Sequence, residues 1–355
     1  MKALRLLVTG LALTFVVAAG CGTDTASEDN DDAHDDQDPP PIEPSMLERC
    51  VSAGGTISEL WSTGNLHGAV TSIAVNGSTI VLGSIDGSVK QWTVEAETPS
   101  YGTPLIDESD SVVSALAFAD DEVVVGVDQR GQLSEWRVSD AAPLRTTPMT
   151  ETALHTVSVS RDGKHVAVGD AGDVKAAIRV FERSSGELSE LLPSELWEAR
   201  AVEFGADSLF TAGHMYQWPL IERRAADEPM VVIETWNEVA MGTFKVNALA
   251  TDPGETVLVA ALEGRVAVFD PETLANGPSV WVDVPDHNAI GVTLLPGNEL
   301  FATVGQEGTL RVWKITGELV TNVPIAEPVG VARDGSGDTL YTAGPDGMLR
   351  AFGCR

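Results

Sequence analysis

The chain has 355 residues, 43% of them hydrophobic, and sets 53 acidic side chains against 22 basic ones for a formal net charge of −31. A field of that sign repels polyphosphate, which excludes nucleic acid as a partner. The acidity also keeps sheet-rich copies apart, and a saline habitat produces the same balance; composition alone does not separate these causes. At the start of the chain Lys2 and Arg5 precede an apolar run from Leu6 to Ala19, and Ala18-Ala19-Gly20 leads into Cys21. That run is short for a bilayer span, and no later segment reaches the length of a transmembrane helix.

This opening resembles a bacterial lipoprotein signal peptide over residues 1–20, with its positive start, apolar middle and small-residue cleavage site ending in cysteine. The resemblance implies that the Cys21 thiol accepts a lipid and holds the mature protein on a membrane. Gly22 and Thr23 follow the cysteine, and the absence of aspartate there implies the outer membrane of the cell envelope. Residues 21–45 contain no lysine or arginine, a Pro39-Pro40-Pro41 run and Ile42 as the single large aliphatic. Such a stretch buries too little apolar surface to offset chain entropy, so it is expected to be a disordered, extended tether. Its carboxylates lack the alternate acidic positions and turn glycine of a calcium-binding loop.

From residue 54 onward the chain repeats. A glycine, an apolar residue two places on and an aromatic three further recur as Gly87-Ser88-Val89-Lys90-Gln91-Trp92 and Gly131-Gln132-Leu133-Ser134-Glu135-Trp136. The order returns in Gly213 to Trp218, Gly264 to Phe269, Gly308 to Trp313 and Gly347 to Phe352, with a weaker copy from Ala176 to Phe181. The aromatics at 92, 136, 181, 218, 269, 313 and 352 lie 44, 45, 37, 51, 44 and 39 residues apart, a propeller period. Before each glycine comes an apolar run such as Ile80-Val81-Leu82 or Val257-Leu258-Val259, which predicts a second strand. Asp86-Gly87, Glu263-Gly264, Glu307-Gly308 and Asp346-Gly347 then predict tight hairpins into a third strand, with the aromatic filling the wedge between blades. No sustained helical period is visible, so residues 46–355 are expected to be nearly all β.

The spacing and the Gly-x-Leu-x-x-Trp ending resemble the WD-repeat family from about residue 54 to Arg355. That resemblance implies a seven-bladed β-propeller of four-stranded antiparallel blades. The seventh repeat stops at its third strand, Met348 to Gly353, and in WD-repeat propellers a segment such as Thr56 to Trp61 supplies the missing fourth strand and closes the ring. Cys21 is committed to lipid, and this closure brings Cys50 beside Cys354 in a compartment where disulfides persist.

The six histidines, His34, His67, His155, His165, His214 and His287, fall in the tether and in different repeats with no metal-ligand spacing. Neither a phosphate-binding loop nor a Gly-x-Ser-x-Gly elbow occurs. No catalytic residue, metal or cofactor is therefore expected. The alternative is a hydrolase or lactonase whose loops build a site at the central channel, since such sites leave no local motif. The favoured expectation is a monomeric, membrane-tethered scaffold for an unidentified envelope protein, bound at the hairpins and inter-blade loops. Within the irregular stretch Leu220 to Lys245, Arg223, Arg224 and Trp236 are the expected partner-contacting residues.

Overall fold

The computed structural model describes residues 43–355 apart from 65–67, 96–97, 107–108, 171–176, 186, 193–194, 217 and 239–243. Cys21, the signal segment, most of the tether, His34, His67 and Ala176 lie outside the described residues. Strands dominate, as the alternating apolar runs predict, and they assemble into an all-β propeller of antiparallel sheets. Among the described residues five sheets have four strands each and a sixth has six, in place of seven separate four-stranded blades. The first sheet runs Val70–Asn76, Thr79–Ser84, Val89–Glu95 and Thr98–Tyr101 from inside to outside. The second (Val113–Phe118 to Ala142–Pro148), third (Leu154–Val159 to Glu187–Leu192) and fourth (Glu198–Phe204 to Val232–Asn237) repeat that order.

The six-stranded sheet departs from the expected pattern because two of its strands are long. Leu258–Phe269 pairs through its first half with Val246–Thr251 and through its second half with Val280–Leu294. Val280–Leu294 in turn pairs through its far half with Leu300–Gly305. Strands of the fifth and sixth sequence repeats are thus joined in one sheet.

Ring closure follows the expectation. Ile57–Ser62 pairs antiparallel with Leu349–Cys354 and completes the sheet that begins Gly330–Arg333 and Leu340–Ala343. Ile57 lies opposite Cys354, and a disulfide joins Cys50 to Cys354 with Cα atoms 6.1 Å apart. A Cβ on Gly55 would sit 2.5 Å from the Cys50 sulfur, so only glycine lets the chain pass the bridge. One element is not foreseen by periodicity: the helix Met46–Ser52, too short to show a period, starts with Ser45 and Glu48 capping each other's backbone N–H groups. Glu48 is buried and also accepts from Gly297 N–H at 3.1 Å, while Leu47 joins the core beneath the last two sheets.

The core lies between sheets rather than within them. Each wedge draws on two neighbours, as where Ile80, Leu82 and Trp92 of the first sheet meet Tyr341 and Leu349 of the last. Trp92, Trp136, Phe181, Phe269, Trp313 and Phe352 are all buried, as expected of the repeated aromatic. The fourth repeat is the exception. Gly213 lies inside Ser208–Met215 and pairs with Leu220, so Trp218 begins the third strand instead of ending it. Arg223 stands opposite Phe210, the place Trp92 takes opposite Ile80, and Trp236 from the outer strand fills the wedge against Phe269 at 4.9 Å.

Replacing Cys354 by serine should lower unfolding stability, with about 6 kcal/mol the upper figure of the loop-entropy model for so long a loop. Urea titration of oxidised protein and variant measures the loss; coincident curves would show that the bridge adds nothing.

Candidate functional site

Among the described residues, six inner strands enter their sheets with one residue too many, while Gly330–Arg333 of the last sheet pairs in unbroken register. Register shifts fall between Val70 and Ser72, Val113 and Ala115, Leu154 and Thr156, Ala199 and Ala201, Val246 and Ala248, and Ala289 and Gly291. The extra residues are Thr71, Ser114, His155, Arg200, Asn247 and Ile290, re-aimed by a bulge as such residues commonly are. Several reach the next inner strand around the ring: the Thr71 hydroxyl donates to Val113 O, Arg200 Nη1 to Asn247 Oδ1 at 2.9 Å, and Asn247 Nδ2 to Ala289 O at 2.8 Å. This polar belt lies on the face of the second-to-third-strand hairpins. Ile85 N–H donates to Ala69 O, and Gln129 N–H to Val112 O, each fastening a hairpin to the start of an inner strand.

The hairpins owe their form to short carboxylate side chains and glycine. Asp128 Oδ1 accepts from the Arg130 and Gln132 N–H groups at 2.9 Å, and Gly87, Gly131, Gly308 and Gly347 take φ of 76°, 76°, 82° and 71°. In the sixth repeat the hairpin is tied inward as well. Trp313 Nε1–H donates to Thr303 Oγ1 at 2.9 Å, and Thr303 lies 2.9 Å from His287 Nε2, whose other nitrogen meets Glu307. With His287 neutral and its proton on Nδ1, each donor in this chain faces an acceptor. Burial holds the His287 pKa below the ordinary value, although Glu307 pulls the other way.

On the same face an aromatic cluster is exposed. Trp197, just before the fourth inner strand, is 41% exposed, and Tyr216, on the fourth hairpin, is 59% exposed. Their ring centroids are 4.4 Å apart, and Tyr216 lies 6.3 Å from half-buried Trp218. Met215 pairs directly with Trp218, and the tight hairpin holds Tyr216 at φ 57°, a left-handed conformation that costs a bulky residue energy. The Trp197 N–H donates to His214 O at 2.8 Å, and His214 Nδ1 lies 3.7 Å from Glu198, which also pairs with Arg200. Burial pushes His214 down to about 4, against the raising influence of Glu198.

The residues expected to contact a partner are placed elsewhere. Trp236 is 4% exposed, locked against Phe269 and Trp281, and Arg224 is fully buried, donating to Glu222 and to Pro229 O. Arg223 donates to Ser208 Oγ at 2.8 Å and to Pro271 O at 3.1 Å, bridging to the next sheet. Arg223 and Arg224 lie on the third strand Trp218–Ala225 and Trp236 on the outer strand Val232–Asn237 that pairs with it, so all three are engaged within the fold. Spacing gave Trp218 to the core, which hid the exposed cluster around it. Among the described residues no three His, Cys, Asp or Glu side chains are grouped to hold a metal ion.

Four-stranded antiparallel sheets around a ring, hairpins set by Asp-Gly and related pairs, and a last sheet completed by the N-terminal strand define a β-propeller. The model of the family described as WD domain, G-beta repeat, matches residues 59–93, which take in most of the closing strand and the first three strands of the first sheet. The chain is a WD-repeat-like β-propeller. No curated protein matches it.

His214 is neutral in the folded protein down to about pH 4, whereas the unfolded chain protonates it near 6.5. Its contribution to stability is complete above that value and is lost as pH falls from about 6.5 towards 4. Following the His214 ring proton by NMR should give a midpoint far below that of an exposed histidine, and the stability gap between the protein and His214→Gln should narrow or reverse over the same window. A midpoint between 6 and 7 would overturn the assignment.

Proposed function

We propose that the protein is a monomeric scaffold that binds an envelope protein through its hairpin face and is held at the outer membrane by a lipid on Cys21. The observation that carries the binding role is the exposed Trp197–Tyr216 pair on a rigid sheet framework, since large exposed aromatics are favoured at interaction hot spots. The anchor rests on the Ala18-Ala19-Gly20-Cys21 sequence, and the acidic stretch to residue 45 serves as its spacer. The helix Met46–Ser52 supports this arrangement. It packs under the loops at 296–299 and 334–339, which join first to second strands, so the chain enters the propeller from the side opposite the hairpins. A lipid-bound propeller then turns its aromatic cluster away from the membrane.

The ring in this proposal has seven blades. Gly264, at φ 70° midway along Leu258–Phe269, is a hairpin turn between two strands of the fifth blade. Val280–Leu294 serves as the outer strand of that blade and then as the inner strand of the sixth. What supports the count is the seven sequence repeats together with the two-sided pairing of both long strands.

Affinity capture from envelope extracts should retain fewer specific proteins when Trp197 and Tyr216 are both changed to alanine; an unaltered set would sink the hairpin-face proposal. Changing Cys21 to serine should move the protein from the membrane to the soluble fraction after cell lysis. Retention in the membrane fraction would rule out the lipid anchor.

A further inference from the structure

The outer strand of the fourth sheet differs from the other outer edges. Met230, Val231, Val232 and Ile233 are 50%, 47%, 41% and 47% exposed, four consecutive large apolar residues with no charge or proline among them. Met230 and Val231 lie in the turn that leads into the outer strand Val232–Asn237, and a register shift opposite Arg223 and Arg224 leaves Ile233 bulged at its start, so Val232 and Ile233 are both exposed there. Other outer strands expose single aliphatics, Leu144 in one and Leu319 in another, or Leu188 and Leu191 separated by Ser189-Glu190. Edge strands of natural proteins are ordinarily blunted by lysine, proline or a covering loop, because their unpaired backbone groups invite another strand.

This edge is held ready. Val231 N–H donates to Glu228 O at 2.8 Å, Ala225 N–H to Val231 O at 3.3 Å, and buried Arg224 to Pro229 O at 3.1 Å, which together fix the turn leading in. At the other end Trp236 is buried in the wedge and pins the strand to the sheet. An edge fixed on both sides loses little entropy when a further strand is added.

Charge selects the occupant. Asp227 and Glu228 precede the apolar run and Glu234 follows it, on a chain of net charge −31. A second copy would bring the same charges together, and an anionic bilayer would repel them; a strand with lysine or arginine on either side of an apolar middle would pair with them.

We propose that the free edge of Val232–Asn237, with the exposed Met230–Ile233 run at its start, is a docking edge for an extended, basic-flanked segment of another protein, which adds a strand to the fourth sheet. Main-chain hydrogen bonds then supply affinity and the acidic flanks supply selection. This surface is separate from the hairpin face, so either can fail without the other.

The test uses the full-length protein and two synthetic ten-residue peptides with the same Val-Thr-Val-Ile middle, one flanked by lysines and one by glutamates, read by fluorescence anisotropy. The lysine peptide should bind and the glutamate peptide should not. Val231→Lys with Ile233→Lys should weaken binding by about tenfold or more, whereas Trp197→Ala with Tyr216→Ala should leave it unchanged. Should the double lysine variant lose its cooperative thermal transition, Met230→Lys, at the most exposed of the four positions, is read instead and should also weaken binding. Equal binding of both peptides, or binding indifferent to these substitutions, overturns the proposal. It is likewise overturned if the lysine peptide fails to bind while the lysine variants abolish sedimentation with phosphatidylglycerol vesicles, or abolish a concentration-dependent dimer seen by light scattering.

Discussion

A four-stranded sheet has two faces to bury and two edges to satisfy, and no sheet of this protein can do either alone. The contact on which the rest depends is therefore the seam where Ile57–Ser62 pairs with Leu349–Cys354. Opened, that seam would expose the wedge that Trp92 and Ile80 share with Tyr341, and would release the helix whose Leu47 and Glu48 cover the far side. The Cys50–Cys354 bridge sits at the edge of this seam, and the passage of Gly55 over its sulfurs makes the two features one device. The inner strands meet their neighbours around the ring, so strain or loosening at the closure is felt by every wedge.

Within that closed ring the wedges tolerate different fillings. Most use an aromatic near the end of the third strand, but the fourth uses a tryptophan from the outer strand and gives the usual position to an arginine. Arg223 replaces apolar packing with hydrogen bonds to Ser208 and Pro271, and Glu255 completes the arrangement by accepting from the Asp207 and Ser208 N–H groups at 2.7 Å. Space between blades is fixed by the ring; the chemistry that occupies it is not. Trp197, Tyr216 and Trp218 are thereby freed from the core and gathered at the hairpin face.

Much of this was legible in the sequence, for reasons that can be stated residue by residue. Asp86-Gly87, Asp346-Gly347 and their counterparts mark turns that short carboxylates and glycine alone favour, and the apolar runs before them mark strands buried on both faces. The incomplete last repeat and the pair of cysteines outside it led to the closure. Other features were not legible. Gly213 and Trp218 stand five residues apart as Gly87 and Trp92 do, but the former pair spans a tight hairpin and the latter a strand, a difference set by which residues pair across the sheet. Bulges leave no mark in composition, so Thr71, Arg200 and Asn247 read as ordinary strand residues. The helix Met46–Ser52 did carry a signal, serine followed three residues later by glutamate, too brief to register as a period.

The seam also imposes an order of events. The strand Ile57–Ser62 is synthesised before every other described strand, and its partner Leu349–Cys354 after all of them. Successive sheets can form as their hairpins emerge, each from neighbouring stretches of chain, but the ring cannot shut until both ends are present. Until then Trp61, Ile57 and Leu47 have no wedge to enter, and Cys50 has no partner thiol. The first strand made is a guest that waits for its place, and an oxidising environment met too early offers it no correct bond to form.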